Sequence, residues 1–163
     1  MRVSLAQVDS TLGDIDANVE RAAEAILAAR TEGADLIVFP ELQLSGYSIG
    51  DVDTDLALRP DDERLERLAK HAGSAGVVLT FPEAGPGGMH TYNSAAYYQD
   101  GRLVHLHRKL YLPNYLSFEE RKHFTPGQAM RAFDADAGRM AVLICNDAWQ
   151  PQVAFLATQD GAH

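Results

Sequence analysis

The chain has 163 residues, enough for one domain that buries roughly 70% of the surface exposed by its unfolded chain. Apolar residues make up 46% of it, but no apolar run reaches the roughly 18 residues of a membrane helix, which argues against a membrane protein. The formal net charge of −9 would repel phosphate backbones and disfavours a nucleic-acid partner. A small neutral or cationic substrate suits this charge better.

The amino terminus and the cysteine content predict a cytoplasmic protein. The opening "MRVSLAQVDS" alternates apolar and polar residues, whereas a secretory signal would contain a continuous apolar segment. Cys145 is the only cysteine and cannot form an internal disulfide, which suits a reducing compartment.

The first half of the sequence predicts strands that alternate with amphipathic helices. In chain order these are a strand over 2–8, a helix over 16–32, a strand over 34–41, a helix over 61–76 and a strand over 77–83. Asp16 is a predicted cap for the first helix, and Gly33 follows its end. The near-continuous apolar run at 34–41 is typical of a strand that is covered on both faces.

The second half predicts antiparallel structure. It contains a hairpin over 92–110 around Asp100 and Gly101, a long loop over 111–128, a strand, turn and strand over 131–145, and a helix over 151–162. The sum is an α/β layered fold with a mixed sheet. Because no linker or repeat divides the chain, we expect residues 1–163 to form one domain, incomplete at its carboxyl end.

Three reactive side chains follow predicted strands: Glu41, Lys109 and Cys145. A free thiol has a pKa near 8.5 and needs a base or a positive neighbour to act as a nucleophile. Glu41 could accept the thiol proton, while Lys109 and the backbone N–H of Asn146 could stabilise an oxyanion formed from the substrate. This set predicts attack on a planar carbon–nitrogen carbon and a thioester on Cys145.

The segments around these residues resemble the three catalytic motifs of the nitrilase, or carbon-nitrogen hydrolase, superfamily. They are "FPELQLSGY", "HRKLYLPNY" and "LICNDAW", and they occur in the order that the family shows. The opening "AQVDSTLGDIDANVERA" also resembles the family's first strand, turn and helix. The resemblance implies a four-layer αββα sandwich, truncated here after the nucleophile helix. It implies Glu41 as general base, Lys109 as oxyanion stabiliser and Cys145 as nucleophile.

Further similarities suggest the reaction and the partners. The segment "EERKHFTPG" resembles the family's second glutamate segment, which implies that Glu120 positions Lys109 and the substrate. "LPNY" with "FEERKHFTPG" resembles the glutaminase domains of glutamine-dependent NAD synthetases, whereas "ICND" resembles N-carbamoyl amino acid amidohydrolases. We expect an amidase or carbamoylase without a metal or organic cofactor, with nitrilase or glutaminase activity as alternatives. The family also implies a homo-oligomer, paired near the helix after Cys145.

Other interpretations remain open at this stage. Lys109 could be an ordinary surface lysine. His105 and His107 share a strand face but lack a third metal ligand, so we expect them to face solvent. A cysteine–histidine hydrolase, with His123 or His105 activating Cys145, is a rival mechanism. An inactive remnant that keeps the motifs is another rival.

The loop residues allow two interpretations each. Glu119 and Glu120 could be a solvated acidic pair beside Arg121 and Lys122. Tyr115 and Trp149 are candidates for lining a substrate pocket, yet both could be packing aromatics. Asp147 could cap the following helix or orient the turn that carries the nucleophile.

Overall fold

A five-stranded mixed sheet forms the frame of the molecule, for which a computed structural model describes residues 1–52 and 55–163. Its strands, in sheet order, are β1 (Val3–Leu5), β2 (Leu36–Val38), β3 (Gly76–Ala84), β4 (Thr91–Gln99) and β5 (Arg102–Arg108). β1, β2 and β3 are parallel and are connected through helices α1 (Ile15–Thr31) and α2 (Glu63–Ala72), whereas β3, β4 and β5 are antiparallel. The predicted α/β fold with a mixed sheet is confirmed.

The start of α1 differs from the prediction. Asp14, not Asp16, caps the helix, because its side chain accepts a hydrogen bond from the backbone N–H of Ala17 at 3.0 Å. Gly13 takes a φ of 76° immediately before it and turns the chain into the helix, which sets the cap two residues earlier than predicted. Gly33 follows the helix end with a φ of 74°, as predicted.

The main core lies between the sheet and the two helices, which pack on one face of the sheet and against each other. Apolar residues at helical spacing meet the inward residues of β2 and β3 there. The helical members include Val19, Ala22, Ile26, Leu65 and Leu68, and the strand members include Ile37, Val77, Leu79 and Phe81. The opposite face of the sheet is covered as well. The parallel strands are therefore buried on both faces, which explains their near-continuous apolar sequence.

The opposite face of the sheet is covered by a hairpin of β6 (Phe133–Ala135) and β7 (Gly138–Met140). The prediction of a strand that continues to residue 145 was wrong, because the ladder ends at the pair Phe133 and Met140. Residues 141–144 follow without strand pairing in the described part of the chain. Ile144 packs under the sheet beside Val78 and so anchors the segment before the cysteine.

Other elements of the described residues include a tight hairpin turn and two α-helices. Asp100 and Gly101 connect β4 and β5 with φ values of 50° and 71°, which confirms the predicted turn. Helix α3 (Glu120–His123) is short, and α4 (Pro151–Gln159) packs on Met130 but leaves Phe155 exposed. None of the helices in the two described ranges has the length and hydrophobicity that crossing a bilayer requires. Self-association near α4 stays a prediction.

Candidate active site

Glu41 lies just beyond the end of β2, at the start of a tight turn. The next residue, Leu42, is fully buried and takes a φ of 52°, which is unfavourable for a residue with a branched side chain. Its carbonyl accepts hydrogen bonds from the N–H groups of Ser45 and Gly46 at 3.1 and 2.8 Å, and its side chain packs on Leu112. The backbone around Glu41 is therefore held by both hydrogen bonds and packing.

Lys109 extends from the end of β5 into the interior. Its backbone N–H donates to the carbonyl of Asn93 at 2.9 Å, and only 1% of the residue is exposed. Its Nζ donates to Glu41 Oε1 at 2.6 Å and to Glu120 Oε1 at 2.7 Å. These contacts place one ammonium between two carboxylates and exclude the interpretation of Lys109 as a surface lysine.

Glu119, which precedes α3, and Glu120, the first residue of α3, have different surroundings. Glu119 forms an exposed ion pair with Lys122, with 2.6 Å between the carboxylate oxygen and Nζ, as a surface residue would. Glu120 is 4% exposed and accepts hydrogen bonds from Lys109 and from the hydroxyl of Tyr47. The solvated-pair interpretation therefore holds for Glu119 alone.

Lys109, Glu41, Glu120, Tyr47 and Asn93 are connected by hydrogen bonds and form the Lys109 cluster. Burial and the short ion pairs shift the pKa values of several of these groups. Burial acts most strongly on Lys109 and would lower its pKa, but the hydrogen bonds that its ammonium donates to Glu120 and Glu41 outweigh it and leave the pKa raised. Burial raises the pKa of Glu120, opposed by its hydrogen bonds to Lys109 and Tyr47. Burial also raises the pKa of Tyr47, so its hydroxyl stays protonated and donates. Lys109 is therefore a permanent cation at neutral pH.

Cys145 opens a single turn of 3-10 helix, Cys145–Asp147, and is exposed. Its φ of 44° lies in the left-handed region, which costs a non-glycine residue on the order of 1–3 kcal/mol. Partial burial of the thiol raises its pKa first, the charge of Glu41 raises it further, and Lys109 acts in the opposite direction. The thiol is therefore protonated at neutral pH and needs a base, and Glu41 is close enough to affect it.

Asp147 does not cap the following helix, because α4 begins after Gln150. It is completely buried and accepts hydrogen bonds from the backbone N–H of Ile144 and from groups on the Lys109 side of the site. Of the two interpretations made from the sequence, the structure supports the one in which Asp147 orients the turn that carries Cys145.

The histidines lie differently from the sequence prediction. His107 was expected to face solvent, but it is buried and its Nε2 lies 2.9 Å from Asp147 Oδ2. His105 is half-buried and stacks on Phe133, with 4.4 Å between the ring centroids. Both histidines are covered because the β6–β7 hairpin packs on His105 and the turn Cys145–Asp147 packs on His107. No three histidine, cysteine or acidic side chains come together as a metal site within 1–52 and 55–163.

The predicted substrate-binding residues are not part of the Lys109 cluster. The side chain of Asn146 donates to the carbonyl of Tyr111 at 3.0 Å. Tyr115 is mostly exposed and meets Phe118 edge-on, and Trp149 is 80% exposed. Contacts of these three side chains with a substrate stay predictions.

A cavity of about 170 Å³ adjoins the cluster. It is lined by residues 47–51 and by residues in and around α3, among them Glu120 and His123. Cys145 is not among the residues that line this cavity.

Two members of the cluster were not identified from the sequence. Tyr47 donates its hydroxyl to Glu120, and the Nδ2 of Asn93 donates to Glu41 Oε1 at 2.7 Å. The available sequence signals were the place of Tyr47 inside "FPELQLSGY" and the amide of Asn93 within a predicted strand, where a buried polar side chain requires a partner.

Replacing Tyr47 with phenylalanine is expected to lower the free energy of unfolding by about 1.5–3 kcal/mol, because a charged acceptor loses a donor. Urea denaturation measures the change. Tyr98→Phe is the matched control, since the Tyr98 hydroxyl donates to a neutral acceptor, the carbonyl of Pro60, at 3.0 Å. A loss at Tyr47 no larger than that of the control would contradict the role of Glu120 as a charged acceptor.

Comparison with known proteins identifies the class. Residues 2–163 match the carbon-nitrogen hydrolase family, and the chain belongs to that family. The resemblance found in the motifs is thereby confirmed.

Individual relatives within this family include synthetases and amidases. A glutamine-dependent NAD(+) synthetase of Thermotoga maritima is 38% identical over 168 residues, covering 100% of this chain and 29% of the relative. An omega-amidase of Saccharomyces cerevisiae is 31% identical, covering 99% of this chain and 60% of the relative. Among solved structures, the amidase from Nesterenkonia sp. AN1 has a TM-score of 0.87 at 25% identity, covering 100% of this chain and 64% of that chain. These relatives are enzymes that act on carbon–nitrogen bonds, and the chain spans less than two thirds of each.

Proposed function

We propose that this chain carries the amide-hydrolysing site of a cysteine-dependent carbon-nitrogen hydrolase. The observation that supports it best is the buried ammonium of Lys109, held at 2.6 and 2.7 Å by Glu41 and Glu120, with the Cys145 thiol within reach of their charges. In this proposal Cys145 is the nucleophile, Glu41 the general base and acid, and Lys109 the oxyanion stabiliser. Residues 1–163 belong to one domain of this enzyme.

The first half-reaction transfers the acyl group to the enzyme. Glu41 accepts the thiol proton while Sγ attacks the carboxamide carbon, and the carbonyl electron pair moves to oxygen. The Lys109 ammonium and the backbone N–H of Asn146 stabilise that oxyanion. When the carbon–nitrogen bond breaks, Glu41 returns the proton to nitrogen, so that ammonia leaves and a thioester remains on Cys145.

The second half-reaction releases the acid. Glu41 removes a proton from water, the hydroxide attacks the thioester carbon, and Lys109 again stabilises the oxyanion. Breaking the carbon–sulfur bond frees a carboxylic acid, and the proton held by Glu41 returns to sulfur. Glu120 and Tyr47 do not exchange protons in this scheme. They hold the Lys109 ammonium in place throughout.

A primary carboxamide is the proposed substrate class, with the side-chain amide of glutamine as the first candidate. The glutamine-dependent relatives support this choice, at up to 38% identity. Within the described residues, two buried acceptor oxygens of the Lys109 cluster have no hydrogen-bond partner: Glu120 Oε2 and Asn93 Oδ1. A carboxamide or carbamoyl group carries N–H donors for such acceptors, whereas a nitrile has none. Nitriles are therefore expected to be the poorest substrates.

The test is an ammonia-release screen over glutamine, small primary amides, carbamoyl amino acids and nitriles. Glu41→Gln is expected to lower the rate at least about a hundredfold, because it removes the general base but keeps the size of the side chain. His105→Ala and His123→Ala serve as controls and are expected to retain activity. Loss of activity in the histidine variants alone would support the cysteine–histidine rival. No ammonia from any substrate would support the inactive remnant.

A further inference from the structure

Asp147 accepts hydrogen bonds through both carboxylate oxygens, and its donors come from two segments of the chain, residues 107–111 and Ile144. Oδ1 accepts from the backbone N–H groups of Leu110 and Tyr111 at 3.0 and 2.9 Å. Oδ2 lies 2.9 Å from His107 Nε2 and accepts from the N–H of Ile144 at 3.3 Å. A buried carboxylate requires donors of this kind, and here they belong to the two segments that carry the proposed chemistry.

These contacts lie on both sides of the reactive residues. His107, Leu110 and Tyr111 flank Lys109 along the chain, while Ile144 and Asp147 flank Cys145. One side chain thus connects the backbone that presents the ammonium to the backbone that presents the thiol. The backbone of Lys109 is also held on both sides of the residue, since its N–H donates to Asn93 and its carbonyl accepts from Gly127 at 2.8 Å.

The cysteine turn needs such a connection because of its conformation. The positive φ of Cys145 is disfavoured and persists only where the surroundings fix it. Ile144 donates its N–H to Asp147, and the N–H of Asp147 donates to the carbonyl of Ile144 at 3.0 Å. The turn is closed from both ends by one residue.

We propose that Asp147, with His107 as its buried donor, is a positioning residue that fixes the distance between the Cys145 thiol and the Lys109–Glu41 pair. His107 holds the carboxylate from the β5 side through Nε2, which places the donated proton on that nitrogen. Neither residue touches the substrate. The catalytic meaning of this arrangement rests on the proposed function, whereas the geometric coupling does not.

The primary test is the pH profile of Cys145 alkylation by iodoacetamide, measured on the full chain. Cys145 is the only cysteine, so the label reports one site. Asp147→Asn keeps one acceptor oxygen and replaces the other with an NH2 donor. Either the donors His107 and Ile144 or the donors Leu110 and Tyr111 then lose their acceptor, and the connection between the cysteine turn and the Lys109–Glu41 side is broken. The midpoint of the profile is expected to fall toward that of a free thiol, because burial and the charge of Glu41 no longer raise the pKa. Ammonia release is expected to fall about 10- to 100-fold.

The control is Tyr98→Phe, which removes one buried hydrogen bond away from the site. It is expected to keep the wild-type midpoint. An Asp147→Asn profile that coincides with those of wild type and Tyr98→Phe would overturn the proposal.

Two His107 variants test the same coupling independently of how well Asp147→Asn folds. His107→Gln keeps an N–H donor toward Asp147 and is expected to keep the wild-type midpoint, whereas His107→Leu removes the donor and is expected to lower the midpoint. Equal midpoints for the two variants would overturn the role of His107.

The readouts separate this inference from the proposed function. A lowered midpoint in Asp147→Asn, combined with a wild-type chain that releases no ammonia, would support positioning and contradict the proposed hydrolysis. If Asp147→Asn keeps the wild-type midpoint while the wild-type chain releases ammonia, the result would contradict positioning by Asp147 and support the proposed hydrolysis.

Discussion

Replacing Cys145 with alanine is expected to lower ammonia release at least about a thousandfold, because removal of the attacking atom leaves only binding and oxyanion stabilisation. The fold is expected to persist, since the residue is exposed and alanine meets the same backbone constraint. The rate is measured with the best substrate of the screen. Turnover above roughly a hundredth of the wild-type rate would contradict a thioester mechanism.

Cys145→Gly is the matched companion to this variant. It also lacks the thiol, but glycine adopts a φ of 44° without a steric penalty. The glycine variant is therefore expected to be more stable than the alanine variant by about 1 kcal/mol, as measured by urea denaturation. Equal stability of the two would mean that the turn carries no conformational strain.

Replacing Lys109 with methionine is expected to have the largest effect on folding. The side chain of Lys109 is completely buried between two carboxylates, and removing the ammonium leaves both without their counter-charge. Breaking a buried ion pair by removing one partner costs about 3–5 kcal/mol. Lys122→Met is the control, since its pair with Glu119 is exposed and is expected to be worth less than about 1 kcal/mol.

The loss of stability in Lys109→Met is expected to depend on pH, in a direction set by the pKa shifts of Lys109 and Glu120. The raised pKa of Lys109 means that its stabilisation is present at neutral pH and is lost only as pH rises through the folded-state value. Glu120 has a raised pKa even beside Lys109, so its folded form binds protons that the unfolded form has released. Without Lys109, protonation of Glu120 removes a buried negative charge that has lost its counter-charge. The loss in Lys109→Met is therefore expected to be smaller near about pH 4 than near pH 7, and equal losses would contradict this explanation.

Local sequence signals predicted the secondary structure well where the conformation depends on the backbone preferences of a few adjacent residues. The turn at Asp100 and Gly101 depends on two residues that tolerate positive φ, and it lies where the sequence placed it. The position of Lys109 could not be obtained from strand alternation, since the register between β4 and β5 shifts near Tyr97 and Tyr98. The motif around Lys109, and not its periodicity, led to the correct environment.

The polar contacts of the site were much harder to predict. Tyr47 and Glu120 are 73 residues apart, Asn93 and Glu41 are 52 apart, and Asp147 and Leu110 are 37 apart. No periodicity joins residues at such separations, because the sheet order and loop packing bring them together. The cytoplasmic location, the self-association and the substrate contacts of Tyr115 and Trp149 likewise stay predictions.

The exposed position of Trp149 places an optical reporter close to Cys145 in the chain. It is the only tryptophan in the chain, stands four residues after Cys145, and shows 80% of its surface to solvent. Indole fluorescence can be excited apart from that of the 6 tyrosines and responds to local polarity. Because the indole is already in contact with solvent, we expect alkylation of the thiol to change its emission only when the segment that carries both residues moves, so that the signal reports movement of the segment without an introduced dye.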